Sequence, residues 1–186
     1  MSKTLLVKLA KTLDEKGIAY MVIGGQAVLL YGEPRLTRDI DLTLALTPDK
    51  LSKVLDVAHE LSLKILVSDP ESFVKETWVL PTFDETSGFR VDFIFSWTPY
   101  EKEAIERAKT VKVQGYPVRF ASPEDVIIHK VISGRPRDLE DVRSIVRKQK
   151  LNLELIRKWL NILSKSAQRN LWDEFEKIYR EEKDES

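Results

Sequence analysis

Residues 39–44 read Asp-Ile-Asp-Leu-Thr-Leu, a strict alternation of polar and apolar side chains. Successive side chains of a strand point to opposite faces of its sheet, so this alternation predicts a half-buried strand. Asp39 and Asp41 then share one face, while Ile40 and Leu42 point into the core. Burying such a pair of carboxylates without partners would be costly.

The paired acids have two interpretations. Two neighbouring carboxylates repel each other and strands disfavour aspartate, so something must offset the cost of this arrangement. A divalent cation would do so most directly. The alternative is an edge strand whose solvated acids pair with Arg35 or Arg38. The spacing alone leaves both interpretations open.

A third acid, Asp92, interrupts an otherwise apolar strand-like run over residues 89–95. The alternation puts Asp92 on one face and Val91 and Phe93 on the other. If this strand lies beside the strand with the paired acids, three carboxylates converge, and they could hold two magnesium ions about 4 Å apart. The alternative role for Asp92 is a structural salt bridge to a neighbouring arginine.

Two glycines follow the short apolar run that ends at Ile23. A strand that enters a Gly24-Gly25 turn and then a helix allows backbone N–H groups to approach a phosphate closely. Paired glycines after a strand are more often ordinary turn residues, so this feature alone is weak.

The order of predicted elements indicates an α+β fold. Strands and helices mix in the first two thirds, where strand-like runs at 76–83 and 89–95 form a hairpin. From Ser122 onward only helices are predicted, at about 123–133, 137–149, 152–164 and 167–182. We therefore expect a mixed β-sheet with flanking helices over residues 1–121, and a helical region over 122–186 packed on it.

Composition narrows the chemistry of any metal site. The chain has no cysteine and two histidines, so thiolate sites are excluded and a histidine-rich zinc site is disfavoured. A metal would be a hard cation held by carboxylates. The content of 42% hydrophobic and 32% charged residues predicts a soluble globular protein. Lysines and acids interrupt the N-terminal segment, so it is not expected to be a signal peptide, and no segment is apolar over the length of a membrane span, so we expect a cytoplasmic protein without membrane attachment. Many charged residues and no cysteine also hint at a thermophilic source.

Taken together, these segments resemble the nucleotidyltransferase superfamily with the polymerase-beta-like fold. The shared pattern is a strand, Gly24-Gly25, a short helix, Asp39-Ile40-Asp41 and a later third acid, Asp92. The chain also looks like the branch of minimal nucleotidyltransferases and abortive-infection toxin relatives. That branch has Arg-x-Thr-x-Asp-Ile-Asp, here residues 35–41, and a downstream block like residues 122–141.

The resemblance implies a metal-dependent transfer of a nucleotide from an NTP to a hydroxyl on RNA, a protein or a small molecule, with release of pyrophosphate. It implies two Mg²⁺ ions, or Mn²⁺, as cofactors. The implied catalytic and metal-binding residues are Asp39, Asp41 and Asp92. The implied nucleotide-binding residues are Gly24, Gly25, Thr37, Arg38, Lys130, Arg135 and Arg137. For Lys130 and the two later arginines, an interhelical salt-bridge network is an equal alternative.

One position departs from the family pattern. Many active members have serine as the second residue of the glycine pair, where its hydroxyl contacts the triphosphate, and Gly25 lacks that group. This departure keeps a second hypothesis open. The chain would then be a non-catalytic or partner-controlled nucleotide-binding protein of a toxin–antitoxin-like pair, with a protein partner.

Overall fold

The structure is a computed structural model that describes residues 2–96 and 98–184. Strands end at Phe120, and within the described residues only helices follow. The predicted α+β class with a helical C-terminal third is confirmed. In chain order, the elements are α1 (Ser2–Glu15), β1 (Tyr20–Ile23), α2 (Gly24–Tyr31), β2 (Asp39–Leu44), α3 (Leu51–Glu60), β3 (Lys64–Ile65), α4 (Pro70–Thr77), β4 (Val79–Asp84), β5 (Phe89–Phe95), α5 (Pro99–Glu106), β6 (Lys109–Val113), β7 (Tyr116–Phe120), α6 (Pro123–Ser133), α7 (Pro136–Lys148), α8 (Leu153–Ala167) and α9 (Leu171–Asp184).

The strands form one seven-stranded sheet in the order β3-β4-β5-β2-β1-β7-β6. β2 is parallel to β5, and β1 is parallel to β7, while the other neighbours are antiparallel. The predicted mixed sheet is therefore confirmed. β2 is hydrogen-bonded to a strand on each side, so the alternative of a solvated edge strand for the paired acids is wrong.

Burial of one sheet face fixes the register of the two strands that contain the acids. A one-residue slip would turn those acids into the core, at a large desolvation cost. Burial of each large apolar side chain on this face contributes about 1.5–3 kcal/mol to the free energy of folding. Those on β2 and β5 are at most 2% exposed: Ile40, Leu42, Leu44, Val91, Phe93 and Phe95.

One element differs from the sequence prediction. The strand expected over 76–83 begins only at Val79, because α4 occupies the residues before it. The side chain of Asp69 caps this helix, and Pro70 takes its first position, where a missing N–H is tolerated. Trp78 ends it in the left-handed conformation, with φ 61°. Trp78 therefore separates α4 from the hairpin strand β4.

The chain divides into two compact units. The first contains residues up to Gln26 together with Leu36–Ala121, and therefore the whole sheet. The second contains Ala27–Arg35 and the residues from Ser122 onward. The chain passes from the first unit to the second within α2, between residues 26 and 27. That a domain boundary lies between residues 121 and 122 stays a prediction.

The second unit is an all-helical assembly with its own core. Ile127, Ile145, Leu160 and Phe175, from four successive helices, are fully buried. Ser122 caps α6 by accepting a hydrogen bond from the Asp125 N–H, and Gly134 ends the helix in the left-handed conformation. None of the helices in the described residues is long and apolar enough to cross a membrane.

Candidate active site

The strand register places the three predicted acids on one face of the sheet. Asp41 of β2 lies directly beside Asp92 of β5, and Asp39 lies directly beside Arg90. Residues opposite each other on neighbouring strands point to the same side, about 5 Å apart. We call the surface formed by Asp39, Asp41, Arg90 and Asp92 the acid face.

The acid face runs from solvent into the protein interior. Asp39 and Arg90 are exposed, Asp41 is half-buried, and the Asp92 side chain is 17% exposed. Two residues beyond Asp41, Thr43 is buried at 1% exposure. Its hydroxyl has no hydrogen-bond partner among residues 2–96 and 98–184. The face is therefore open at one end and closed at the other, as a site for a ligand that enters from solvent would be.

Arg90 is already bound to the third acid. Its Nε donates to Asp92 Oδ1 at 2.8 Å and to Oδ2 at 3.0 Å. Burial raises the pKa of the Asp92 carboxyl, the hydrogen bond and charge of Arg90 lower it, and the charge of Asp39 raises it, with a raised pKa as the net result. The salt bridge to a neighbouring arginine, which the sequence left as an alternative role for Asp92, is therefore present. The sequence did not single out Arg90 as that arginine, although its position two residues before Asp92 puts both on the same face.

The side chains do not form the expected three-carboxylate cage. Among the described residues, no group of three or more His, Cys, Asp or Glu is arranged to hold a metal ion. Both Asp92 oxygens accept hydrogen bonds from Arg90 Nε. The donor chemistry still fits a hard cation, because the two β2 carboxylates offer the oxygen ligands that Mg²⁺ prefers. Their role as metal ligands stays a prediction.

Gly24 packs directly against Asp41. A Cβ atom at Gly24 would lie 1.9 Å from Asp41 Oδ2, far inside van der Waals contact. Gly24 also has a φ of +62°, a conformation that residues with side chains adopt rarely. Only glycine fits this position, so the turn between β1 and α2 is held against a carboxylate of the acid face.

Gly25 makes room for Thr37. A Cβ atom at Gly25 would lie 2.5 Å from the Thr37 hydroxyl oxygen, so that hydroxyl lies where a serine side chain at position 25 would begin. Nearby, Gln26 Nε2 donates to the Asp39 carbonyl at 3.3 Å. A hydroxyl from Thr37 therefore lies beside Gly25, the position that departs from the family pattern. Contact of Thr37 with a nucleotide stays a prediction. Arg38 follows it and is exposed.

The later predicted nucleotide ligands lie in the second unit, where we call Arg35, Lys130, Arg135, Asp138 and Asp141 the salt-bridge cluster. Lys130 Nζ lies 2.5 Å from Asp138 Oδ1 and 2.9 Å from Asp141 Oδ2, and its side chain is 9% exposed. Arg35 donates to both oxygens of Asp141, at 2.7 and 2.8 Å. The network that the sequence left as an alternative is therefore present.

In the salt-bridge cluster, hydrogen bonds from neighbouring side chains offset the cost of burying the charged form of Asp138. Burial raises the pKa of Asp138, but hydrogen bonds from Lys130, Ser133 and Arg135 outweigh it and lower the pKa to about 2. Arg137 is exposed in the first turn of α7. Nucleotide contact by Lys130, Arg135 and Arg137 stays a prediction.

Comparison with known proteins supports the fold and the superfamily. A family model described as "Nucleotidyltransferase of unknown function (DUF6036)" matches residues 4–186. An antigenic nucleotidyltransferase-like protein from Paracoccidioides brasiliensis superposes with a TM-score of 0.55 at 22% identity, covering 89% of this chain and 91% of that one. A comparison with curated proteins finds no match.

The antibiotic-resistance factor ANT(2'')-Ia is similar to the same extent. Its solution structure gives a TM-score of 0.54 at 19% identity, covering 96% of this chain and 92% of that one. Its crystal structure with adenylyl-2''-tobramycin gives 0.53 at 20% identity, covering 96% and 98%. Identities this low establish the fold. The resemblance to the superfamily is confirmed, and the abortive-infection branch stays a prediction.

Proposed function

Since this chain belongs to the nucleotidyltransferase family whose model matches residues 4–186, we propose that it transfers a nucleotide from an NTP to a hydroxyl acceptor and releases pyrophosphate. The observation that supports this most is the close approach of Gly24 to Asp41, since it joins the acids to the glycine turn that we propose as the phosphate-binding element. Asp41 is at the same time in register with Asp92 on the neighbouring strand.

Asp39 and Asp41 would hold a divalent cation, Mg²⁺ or Mn²⁺, and Asp92 would contribute to a second site. The cation would neutralise charge on the reacting phosphate oxygens in an in-line displacement. The backbone N–H groups at the start of α2, beginning at Gly24, would bind the triphosphate. The Thr37 hydroxyl against Gly25 would donate a hydrogen bond there.

The proposed acceptor is any molecule with a reactive hydroxyl group. RNA, protein and small molecules all carry suitable hydroxyl groups. The ANT(2'')-Ia structure contains adenylyl-2''-tobramycin, so small hydroxylated compounds belong in the acceptor panel together with RNA and protein.

A labelled-transfer assay tests the proposal. Each of the four NTPs, labelled on the α-phosphate, is incubated with the protein, Mg²⁺ and the acceptor panel. We expect label in one acceptor class, a loss of about 100-fold or more in Asp41→Asn, and no transfer with a chelator. Asp56→Asn is the matched control, because Asp56 is an exposed acid on α3 outside the acid face. Transfer that persists in Asp41→Asn or without a divalent cation would contradict the proposal.

A second candidate function follows from Arg90. If its guanidinium stays bound to Asp92, this acid is not available to a second metal ion, and the chain would bind a nucleotide without transferring it. Such a protein would be controlled by a partner in a toxin–antitoxin-like pair. NTPs would then raise the melting temperature in Mg²⁺ while no acceptor in the panel becomes labelled.

A further inference from the structure

Arg90 lies among the acids as a cation supplied by the chain itself. Its Cα is opposite that of Asp39, and its Nε contacts both carboxylate oxygens of Asp92. The hydrogen bond to Asp92 and the charges of Asp92, Asp39 and Asp41 all raise the pKa of Arg90. A permanent positive charge therefore faces the same carboxylates that a divalent cation would need.

The contact between Arg90 and Asp92 can be broken without disturbing other interactions. Within the described residues, the Arg90 side chain makes hydrogen bonds from Nε to Asp92 and from no other atom. The side chain is 48% exposed. The guanidinium can therefore rotate into solvent on a flexible stem, and it leaves no buried donor unpaired when it does so.

The pair is also not needed to hold β5 in the sheet. β5 is hydrogen-bonded to β2 on one side and β4 on the other, and Val91, Phe93 and Phe95 are buried beneath it. A half-exposed ion pair adds little to that stability. The position of Arg90 thus has no evident structural purpose, and its contact with a candidate metal ligand calls for a functional one.

We propose that Arg90 is an exchangeable counter-cation of the acid face, which occupies the Asp92 carboxylate until a divalent cation displaces it. The exchange rests on the proposed function only in assigning the divalent cation to Asp39, Asp41 and Asp92. Its consequence is that the free protein binds divalent cations weakly, because binding at Asp92 must first break the contact with Arg90. A cation therefore reaches the second metal position only as Arg90 moves away.

A double-mutant cycle on Mn²⁺ affinity tests the exchange without any turnover. Mn²⁺ is titrated, at mildly alkaline pH and without nucleotide, into the wild type, Arg90→Met, Asp92→Asn and the double variant. Free Mn²⁺ is measured by electron paramagnetic resonance. We expect Arg90→Met to bind Mn²⁺ about fivefold more tightly than the wild type. In the Asp92→Asn background, the same substitution should change the affinity little, because no contact remains to be exchanged.

Lys112→Met is the matched control. Lys112 is exposed, and the register places it on the same sheet face as the acids but on β6, four strands away from β5. It loses the same charge and should leave Mn²⁺ affinity unchanged. Melting temperatures of all variants are recorded so that only folded proteins are compared.

The proposal is overturned if Arg90→Met binds Mn²⁺ no more tightly than the wild type, or if its gain is equally large in the Asp92→Asn background. The second result would mean a general charge effect. Either failure is distinguishable from failure of the proposed function. Wild-type transfer of a labelled nucleotide with no coupling between Arg90 and Asp92 refutes the exchange alone, and coupling without transfer in any acceptor panel refutes the function alone.

Discussion

The acid face of the first unit and the salt-bridge cluster of the second unit balance their charges differently. On the acid face, three carboxylates lie on one sheet face with one arginine, Arg90, which is bound to Asp92 and has a side chain that is 48% exposed. In the salt-bridge cluster, two carboxylates share one lysine and two arginines, and the lysine and both acids are buried. Buried charges need full pairing, whereas an excess of one sign at an open surface is a place for a counter-ion. The comparison suggests a structural role for the cluster and a ligand-binding role for the acid face.

The largest effect is expected from Gly24→Ala. The new methyl group would overlap Asp41 Oδ2, so the carboxylate must move. We expect transfer to fall about 100-fold or more, because a small displacement of a catalytic group is enough to do this. Gly17→Ala is the control, since Gly17 has a φ of +64° but a Cβ atom there would have nothing within 4 Å. Equal losses in both variants would show that backbone strain alone is responsible.

Lys130→Met should reduce stability. Removing Lys130 leaves Asp138 and Asp141 buried with fewer partners, and breaking a buried pair in this way costs about 3 kcal/mol. Denaturant unfolding measures the loss, and Lys165→Met, an exposed lysine on α8, should show almost none. A stable Lys130→Met protein with weakened NTP binding would instead support Lys130 as a nucleotide ligand and contradict the comparison.

Acid should weaken the salt-bridge cluster through Asp138. Its pKa in the folded protein is lowered to about 2. Its contribution to the free energy of unfolding is therefore fully present above the pKa that Asp138 has in the unfolded chain, and it is lost as pH falls toward 2. That shift corresponds to about 2 kcal/mol of unfolding free energy. We therefore expect the stability difference between the wild type and Asp138→Asn to shrink by about 2 kcal/mol between about pH 5 and pH 2. A difference that does not depend on pH would mean that Asp138 titrates normally.

On the acid face, the pKa of Asp92 is shifted in the opposite direction to that of Asp138. The folded protein holds the proton more tightly than the unfolded chain, so this group makes stability fall as pH rises through the window between its unfolded and folded pKa values. Asp92→Asn should remove that part of the pH dependence.

The smallest effect is expected from Thr37→Gly, which removes the hydroxyl beside Gly25. Loss of one hydrogen bond to the triphosphate should weaken NTP binding about fivefold. The double variant Gly25→Ser/Thr37→Gly moves the hydroxyl to the position where many family members have it, and should recover most of the affinity. Failure to recover would mean that Thr37 acts through packing against Gly25.

Local patterns in the sequence were enough to predict much of the first unit. The alternation in residues 39–44 gave the face shared by Asp39 and Asp41, because that depends on strand geometry alone. That β5 lies parallel beside β2 could be stated only as a condition, since strand pairing across dozens of residues has no local signal. A salt bridge from Asp92 to a neighbouring arginine was open as an alternative, and the two-residue spacing could have identified that arginine as Arg90.

Other features could not be predicted. The bond between Arg35 and Asp141 joins residues 106 positions apart, and only the folded chain brings them together. The overlap of a Gly25 side chain with Thr37 is likewise a property of the tertiary fold. By contrast, α4 was missed although Asp69-Pro70 is a usual helix start, because the apolar residues around Trp78 suggested a strand.

The most direct test of the central claim is the change in melting temperature on adding an NTP, measured with Mg²⁺ and with a chelator. At a ligand concentration of about 100 times Kd, binding adds about 2.7 kcal/mol, which corresponds to roughly 5–10 °C for a chain of this size. We predict this rise for the wild type and Asp56→Asn with Mg²⁺, and its absence in Asp41→Asn or with the chelator. An equal rise in Asp41→Asn, or no rise with any NTP in Mg²⁺, would contradict the assignment of the acid face as the nucleotide and metal site.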